Sequence, residues 1–124
     1  MRIIVVICTL DIGGAERQAV LLGSALRRAG HEVAIAALFG GLGPQGVRGL
    51  CARERLACLR VRMPALEGES PTRGAVRQFA CDLAGLAPEV VLPFTALPNV
   101  LCGLTWRRAG AQACVWNQRD AGVE

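Results

Sequence analysis

The sequence predicts an α/β fold in which helices cover both faces of a parallel sheet of about five strands. Three observations carry this reading. Ile3, Ile4, Val5, Val6 and Ile7 form an apolar run without a polar break, as in a strand buried on both faces. Ala15, Ala19, Leu22, Leu26 and Ala29 then recur at helical spacing, with Glu16, Arg17, Arg27 and Arg28 off that stripe. Strand-like and helix-like stretches continue to alternate along the rest of the chain.

The first strand reaches the first helix through a turn of Thr9, Leu10, Asp11, Ile12, Gly13 and Gly14. Gly30 supplies the helix stop, and Glu32 leads into Val33, Ala34, Ile35, Ala36, Ala37 and Leu38. This completes a βαβ unit whose crossover should be right-handed. Residues 39–46 hold four glycines and read as a mobile loop, with a short helix over residues 47–53 after it. Residues 56–63 alternate Leu59, Val61 and Met63 with Arg60 and Arg62, the pattern of a strand with one polar side, as at a sheet edge. Residues 64–71 form a loop. Thr72 can cap a helix whose apolar stripe is Val76, Phe79, Ala80, Leu83 and Leu86 or Ala87. Pro88 stops that helix, residues 90–92 form a short buried strand, and residues 93–98 form a turn containing Thr95. A helix over residues 99–108 begins at Asn99 and ends before Gly110; residues 113–116 are a fifth strand, and residues 117–122 are polar and turn-like.

The simplest arrangement of these elements is a doubly wound, Rossmann-like sheet in the order 3-2-1-4-5. In such sheets ligands bind beyond the carboxyl ends of the strands, where the strand order reverses, here between strands 1 and 4. The expected cleft is therefore formed by residues 10–14, 94–99 and 117–120.

A length of 124 residues reads as one domain with no room for a second, and 52% apolar against 19% charged residues describes a folded segment. All fourteen basic residues are Arg, while Lys and Tyr are absent, a pattern that reads first as genome composition bias. Between Arg48 and Arg77 seven arginines face three glutamates, an excess equal to the net charge of +4 for the whole chain. This is either a solvated helix face and strand ends or a patch for anionic lipid or phosphate. Nucleic acid is disfavoured as a partner: three Phe and two Trp offer little stacking, and neither they nor the arginines form a binding module. The six cysteines show no CxxC pair and no Cys/His metal spacing, so no metal site is expected, and buried free thiols in a reducing cytoplasm are favoured over disulfides. Asp11 and a helical pattern follow the first apolar run, which makes it a strand and not a signal peptide. The longest uncharged run, residues 90–106, is interrupted by Pro93, Pro98 and Asn99 and falls short of the roughly 18 residues of a membrane span.

Gly13 and Gly14 precede a helix N-terminus, where free N–H groups and the helix dipole favour an anion or sugar hydroxyls, although plain turn geometry explains them equally well. The pattern is not GxGxxG, and no acidic residue stands where a dinucleotide's ribose would need one. Glu16 either faces the cleft or complements the dipole alone. Thr95 and Asn99 are the polar side chains of the loop beyond strand 4. Asn117, Gln118, Arg119 and Asp120 present an amide, a guanidinium and a carboxylate beyond strand 5; Arg119 can grip a phosphate bidentately or pair only with Asp120. His31, the only histidine, falls between helix 1 and strand 2, at the end of the sheet opposite the cleft, so a catalytic triad is not expected.

Two segments, residues 10–17 (Leu-Asp-Ile-Gly-Gly-Ala-Glu-Arg) and residues 26–33 (Leu-Arg-Arg-Ala-Gly-His-Glu-Val), together resemble the start of family-4-type retaining glycosyltransferases of the GT-B fold. Residues 88–91, 98–100 and 116–120 fit the same N-terminal domain, so the resemblance covers essentially the whole chain. It implies an acceptor-binding domain that works against a second Rossmann-like domain holding a nucleotide sugar, with a glycan or lipid-linked acceptor. The donor is a co-substrate, and no further cofactor is implied. In the family the Gly-Gly turn, here Gly13 and Gly14, lines the cleft near the donor's phosphates. Many members place a histidine after strand 5, whereas this chain has Asn117, Gln118, Arg119 and Asp120, so that role does not transfer. The family's acidic donor-binding motif belongs to the second domain and is absent here. The expectation is an isolated acceptor half, inactive alone, in the cytoplasm or at the inner membrane face. The alternatives are a non-catalytic flavodoxin-like binding module or truncated gene product and, less well supported by the glycine pattern, a nucleotide-dependent oxidoreductase.

Overall fold

Residues 1–9, 14–39, 46–61 and 72–117 are described by the computed structural model. In chain order the elements are β1 (Arg2–Thr9), α1 (Gly14–Arg28), β2 (Glu32–Phe39), α2 (Val47–Arg53), β3 (Ala57–Arg60), α3 (Arg73–Gly85), β4 (Val90–Pro93), α4 (Ala96–Thr105) and β5 (Ala113–Cys114). The five strands are all parallel, in the order β3-β2-β1-β4-β5. This is the doubly wound, Rossmann-like topology the alternation predicts. β1 lies at its centre because its residues are apolar on both faces: Val5 stands between Ile35 of β2 and Leu92 of β4. Side chains alternate across a strand. Ile3, Val5 and Ile7 pack with Ala19 and Val20 of α1 and Val47 and Cys51 of α2. Ile4 and Val6 pack on the opposite face with Phe79 and Leu83 of α3 and Leu101 and Cys102 of α4.

Local chemistry fixes the helix ends. The Thr72 hydroxyl accepts from the Ala75 amide at 3.1 Å and caps α3. Gly30, at φ 101°, closes α1: its own amide donates to the Arg27 carbonyl at 3.0 Å and the His31 amide to the Leu26 carbonyl at 3.2 Å. The buried Ser24 hydroxyl donates to Glu54 at 2.6 Å, which ties α1 to the end of α2.

The structure departs from the sequence reading in four places. α1 buries the ridge Ala19, Val20, Gly23 and Ser24, while Leu22 and Leu26 pack at its flank, Ala15 is half-buried and Ala29 is exposed. Volume explains the shift: a Cβ on Gly23 would lie 3.2 Å from Ile35 Cδ1 and 3.3 Å from Leu56 Cδ1, so the small residues form the line of closest approach to the sheet. α4 begins at Ala96 and not at Asn99. Pro98 therefore falls in the first helical turn, where its missing N–H costs no intrahelical bond. The fifth strand has two residues in place of four, although the Val115 amide still donates to the Val91 carbonyl at 3.0 Å. Third and edge-most, β3 covers only Ala57–Arg60, with Val61 buried beyond it; Arg62, Met63, the loop over residues 64–71 and the glycine-rich residues 40–45 lie outside the described residues.

All six cysteines are free thiols. Only Cys51 and Cys102 are fully buried; Cys8, Cys58 and Cys114 are half-buried, and Cys81 is exposed. No helix among the described residues is long and apolar enough to cross a membrane.

Candidate functional site

In an all-parallel sheet every strand ends on the same side, so the carboxyl ends of β1, β4 and β5 meet at one edge. The order reverses between β1 and β4. α1 and α4, which leave these two neighbouring strands, start at that edge and pack on opposite faces of the sheet. Their N-terminal N–H groups thus flank the reversal, a setting that favours phosphate, carboxylate or hydroxyl oxygens.

The loop after β4 is held tightly. The Phe94 amide donates to the Val6 carbonyl at 2.9 Å, and Phe94 itself is buried. Thr95 follows with φ 71° and ψ 175°, a conformation open essentially only to glycine. Its amide donates to the Asn117 carbonyl at 3.2 Å, and the Asn117 amide returns a bond to the Pro93 carbonyl at 3.1 Å. Thr95 occupies the N-cap position of α4, yet its side chain makes no capping hydrogen bond. A capping threonine has an extended backbone and bonds the helix with its hydroxyl. Thr95 does neither.

Asn99 completes the knot. Its side chain is 2% exposed, and its Nδ2 donates to the Asn117 carbonyl at 3.2 Å. One backbone oxygen therefore receives both Thr95 and Asn99, clamping the segment beyond β5 onto the first turn of α4.

Of the residues singled out from sequence, Thr95, Asn99 and Asn117 are brought into direct contact. Gly14 is the exposed first residue of α1, and Glu16 is half-buried in its first turn, at the same edge of the sheet. Gly13, Arg119 and Asp120 lie outside the described residues. His31 sits at the opposite end, its Nδ1 3.2 Å from the Met1 amino group. Among the described residues no three His, Cys, Asp or Glu side chains gather as metal ligands.

Sequence reasoning did not find the Thr95 conformation or the inward use of Asn99. The only advance signal for the latter was Pro98, which reads equally as a turn residue or as first-turn helix. Trp116, 59% exposed, lies over Gly103 of α4; burial raises the pKa of the nearby Cys114 thiol, and the influence of Trp116 opposes that rise. Burial also pushes the Cys102 thiol up, which makes it an inert core group.

A second feature lies away from this edge. Arg73, Val76 and Arg77 of α3 face Leu104 and Arg108 across a groove of about 390 Å³. No carboxylate among the described residues pairs with these three arginines. Arg48 and Arg53 belong to α2, on the other face of the sheet, so the arginine-rich middle of the sequence is split between two surfaces.

No protein-family profile and no curated protein matches the sequence. Solved structures match its fold. MurG from Acinetobacter baumannii, a GT-B glycosyltransferase, superposes with a TM-score of 0.66 at 14% identity, over 98% of this chain and 36% of MurG. The C-terminal domain of the PF1911 hydrogenase from Pyrococcus furiosus superposes with a TM-score of 0.60 at 8% identity, over 93% of this chain and 90% of that domain. At these identities the likeness is one of fold: a Rossmann-like α/β domain that spans about a third of MurG.

Proposed function

We propose that this chain is the acceptor-side domain of a glycosyltransferase that moves a sugar from a nucleotide-sugar donor to a glycan or lipid-linked acceptor. The observation that carries this reading is the reversal point itself, where a strained Thr95 is locked by Asn99 and Asn117 between two helix N-termini. Strain of this kind persists only where the surroundings over-determine it, and it clusters at binding sites. The similarity to MurG supports the same reading at the level of fold. In this scheme the α1 and α4 N–H groups bind acceptor hydroxyls or donor phosphate oxygens, Gly14 admits the ligand closely, and Glu16 and Asn117 orient it. Arg119 and Asp120 act from the residues that follow β5 in the sequence. Transfer with retention also needs a nucleotide-binding domain opposite, because alignment of donor and acceptor and stabilisation of the leaving phosphate require both walls of the cleft. Residues 1–124 alone are expected to give no turnover. The acceptor brings the protein to the cytoplasmic face of a membrane, where the arginines of α3 contact anionic lipid.

The second reading is a non-catalytic flavodoxin-like binding module; the hydrogenase domain, of which this chain covers nine-tenths, shares its fold at a similar length.

Gly14→Val tests the proposal. A Cβ at Gly14 meets nothing within 4 Å, so the substitution leaves melting nearly unchanged, while a branched side chain blocks approach to the helix N-terminus. Titration with a panel of oligosaccharides, lipid-linked saccharides and nucleotide sugars should show binding that Gly14→Val weakens about tenfold, a loss of about 1.4 kcal/mol. Equal losses of stability and binding would return Gly13 and Gly14 to plain turn residues. Absence of any saccharide or nucleotide-sugar binding would favour the non-catalytic module.

A further inference from the structure

Cys51 and Cys58 stand apart from the other cysteines. Cys51 is fully buried on α2, and Cys58 is half-buried on β3, the edge strand. The chain between them turns back sharply. Arg55 takes a left-handed conformation at φ 57°, its amide donates to the Ala52 carbonyl at 3.2 Å, and the Leu56 amide donates to the Cys51 carbonyl at 2.9 Å. This closure lays β3 directly against α2. Alternation along the strand sends Leu59 to the α3 and α4 face and Cys58 to the α1 and α2 face, into the cluster that holds Cys51. The two thiols thus share one cluster and lie close enough to perturb each other.

We propose that Cys51 and Cys58 are a peroxide-sensitive dithiol that closes reversibly into a disulfide, with Cys58 the attacking sulfur and Cys51 the resolving one. The two sulfurs differ in the way this order requires. The nearby Cys51 thiol holds the Cys58 thiol below its ordinary pKa; burial opposes this, and the positive charge of Arg48 adds to it. Cys51 is displaced upward by the nearby Cys58 thiol, by burial and by the charge on Cys58. The pair therefore favours the thiolate on Cys58, the sulfur nearer solvent, over buried Cys51. Thiolate is the reactive form.

The chemistry balances with hydrogen peroxide as the oxidant. The Cys58 thiolate attacks one peroxide oxygen; an S–O bond forms, the O–O bond breaks, and the departing hydroxide takes a proton to leave as water. Cys51 Sγ then attacks the sulfenic sulfur of Cys58. The S–S bond forms, the S–O bond breaks, and the Cys51 proton leaves with the hydroxyl as a second water. Two thiols lose two electrons in total, and one peroxide becomes two waters. The product staples the edge strand to α2.

Trypsin makes the test direct, because Arg53 and Arg55 lie between the two cysteines. The folded, fully reduced chain is treated with hydrogen peroxide, its remaining thiols are alkylated, and it is digested with trypsin. The expected result is a reducible link between peptides 49–53 and 56–60 as the dominant oxidation product, ahead of any link between Cys102 and Cys114. In Cys51→Ser the sulfenic acid on Cys58 has no resolving partner, so its trapping by dimedone should rise about tenfold over the native chain. Cys58→Ser should leave Cys51 reduced, and Arg48→Gln should slow formation of the link several-fold. If Cys51→Ser does not fold, the native chain still decides. Cys58 found mainly as sulfinic or sulfonic acid, or a dominant link between other cysteines, would overturn the proposal. So would trapping of the sulfenic acid on Cys51.

Discussion

Asn99 Nδ2 and the Asn117 carbonyl oxygen lie 3.2 Å apart, joining residues on α4 and beyond β5 that the sequence separates by 18 positions. The same oxygen accepts from the Thr95 amide at 3.2 Å. The loops after β4 and β5 are thereby fastened to each other at the reversal of the sheet. Without this bond residues 115–117, which follow the two-residue β5, would be held by backbone hydrogen bonds alone.

Asn99→Ala removes the buried side-chain donor and leaves a small void. The expected loss is about 0.5–1.5 kcal/mol, the net worth of one hydrogen bond, because the Asn117 carbonyl still accepts from the Thr95 amide. Urea unfolding measures it, and native-state hydrogen exchange should show the Thr95 and Asn117 amides opening first. A variant with unchanged stability and unchanged exchange would mean that the bond does not clamp the loops.

Thr95→Gly should separate stability from binding. Glycine adopts φ 71° without the steric cost that threonine bears, a relief of about 1–3 kcal/mol, partly offset by about 1 kcal/mol of glycine's extra chain entropy. Melting temperature should rise while affinity for the proposed saccharide ligand falls. A fall in both would show that the conformation is sustained by contacts of the side chain.

Gly103→Ala would place a Cβ 2.7 Å from Cζ2 of Trp116, and the rigid ring must swing away. Because Trp116 is already 59% exposed, little burial is lost, and alanine gains about 1 kcal/mol of helix propensity over glycine. Stability should be unchanged or higher. Tryptophan emission should shift to the red as the ring leaves α4; emission like that of the native protein would refute the contact.

Replacing Arg73, Arg77 and Arg108 by Gln empties the α3/α4 groove of charge without touching the core. Each arginine near an anionic surface contributes about 1 kcal/mol, so the triple variant should lose sedimentation with anionic vesicles at low salt by about two orders of magnitude. Arg48→Gln with Arg53→Gln, on the opposite face, should change it much less. Salt-independent sedimentation, or equal losses in both variants, would rule out a localised patch.

The sequence by itself determined the order of the elements and the central place of β1, because residues 3–7 are apolar on both faces and only a doubly covered strand accepts that pattern. It also determined the Gly30 stop and the Thr72 cap, which depend on neighbours within a few residues. Tertiary structure decided what depends on distant partners. Pro98 fits a turn and a first helical turn equally well, and only α4 packing on the sheet selects the helix, which turns Asn99 inward. Helical spacing named Leu22 and Leu26, but the close approach of Ile35 and Leu56 made Gly23 the contact line. No local pattern announces the strained Thr95 or the meeting of Arg77 with Arg108, since each rests on groups brought in from the far side of a crossover. Periodicity records which face a residue turns to the core; which atoms it meets there is settled only when the layers close.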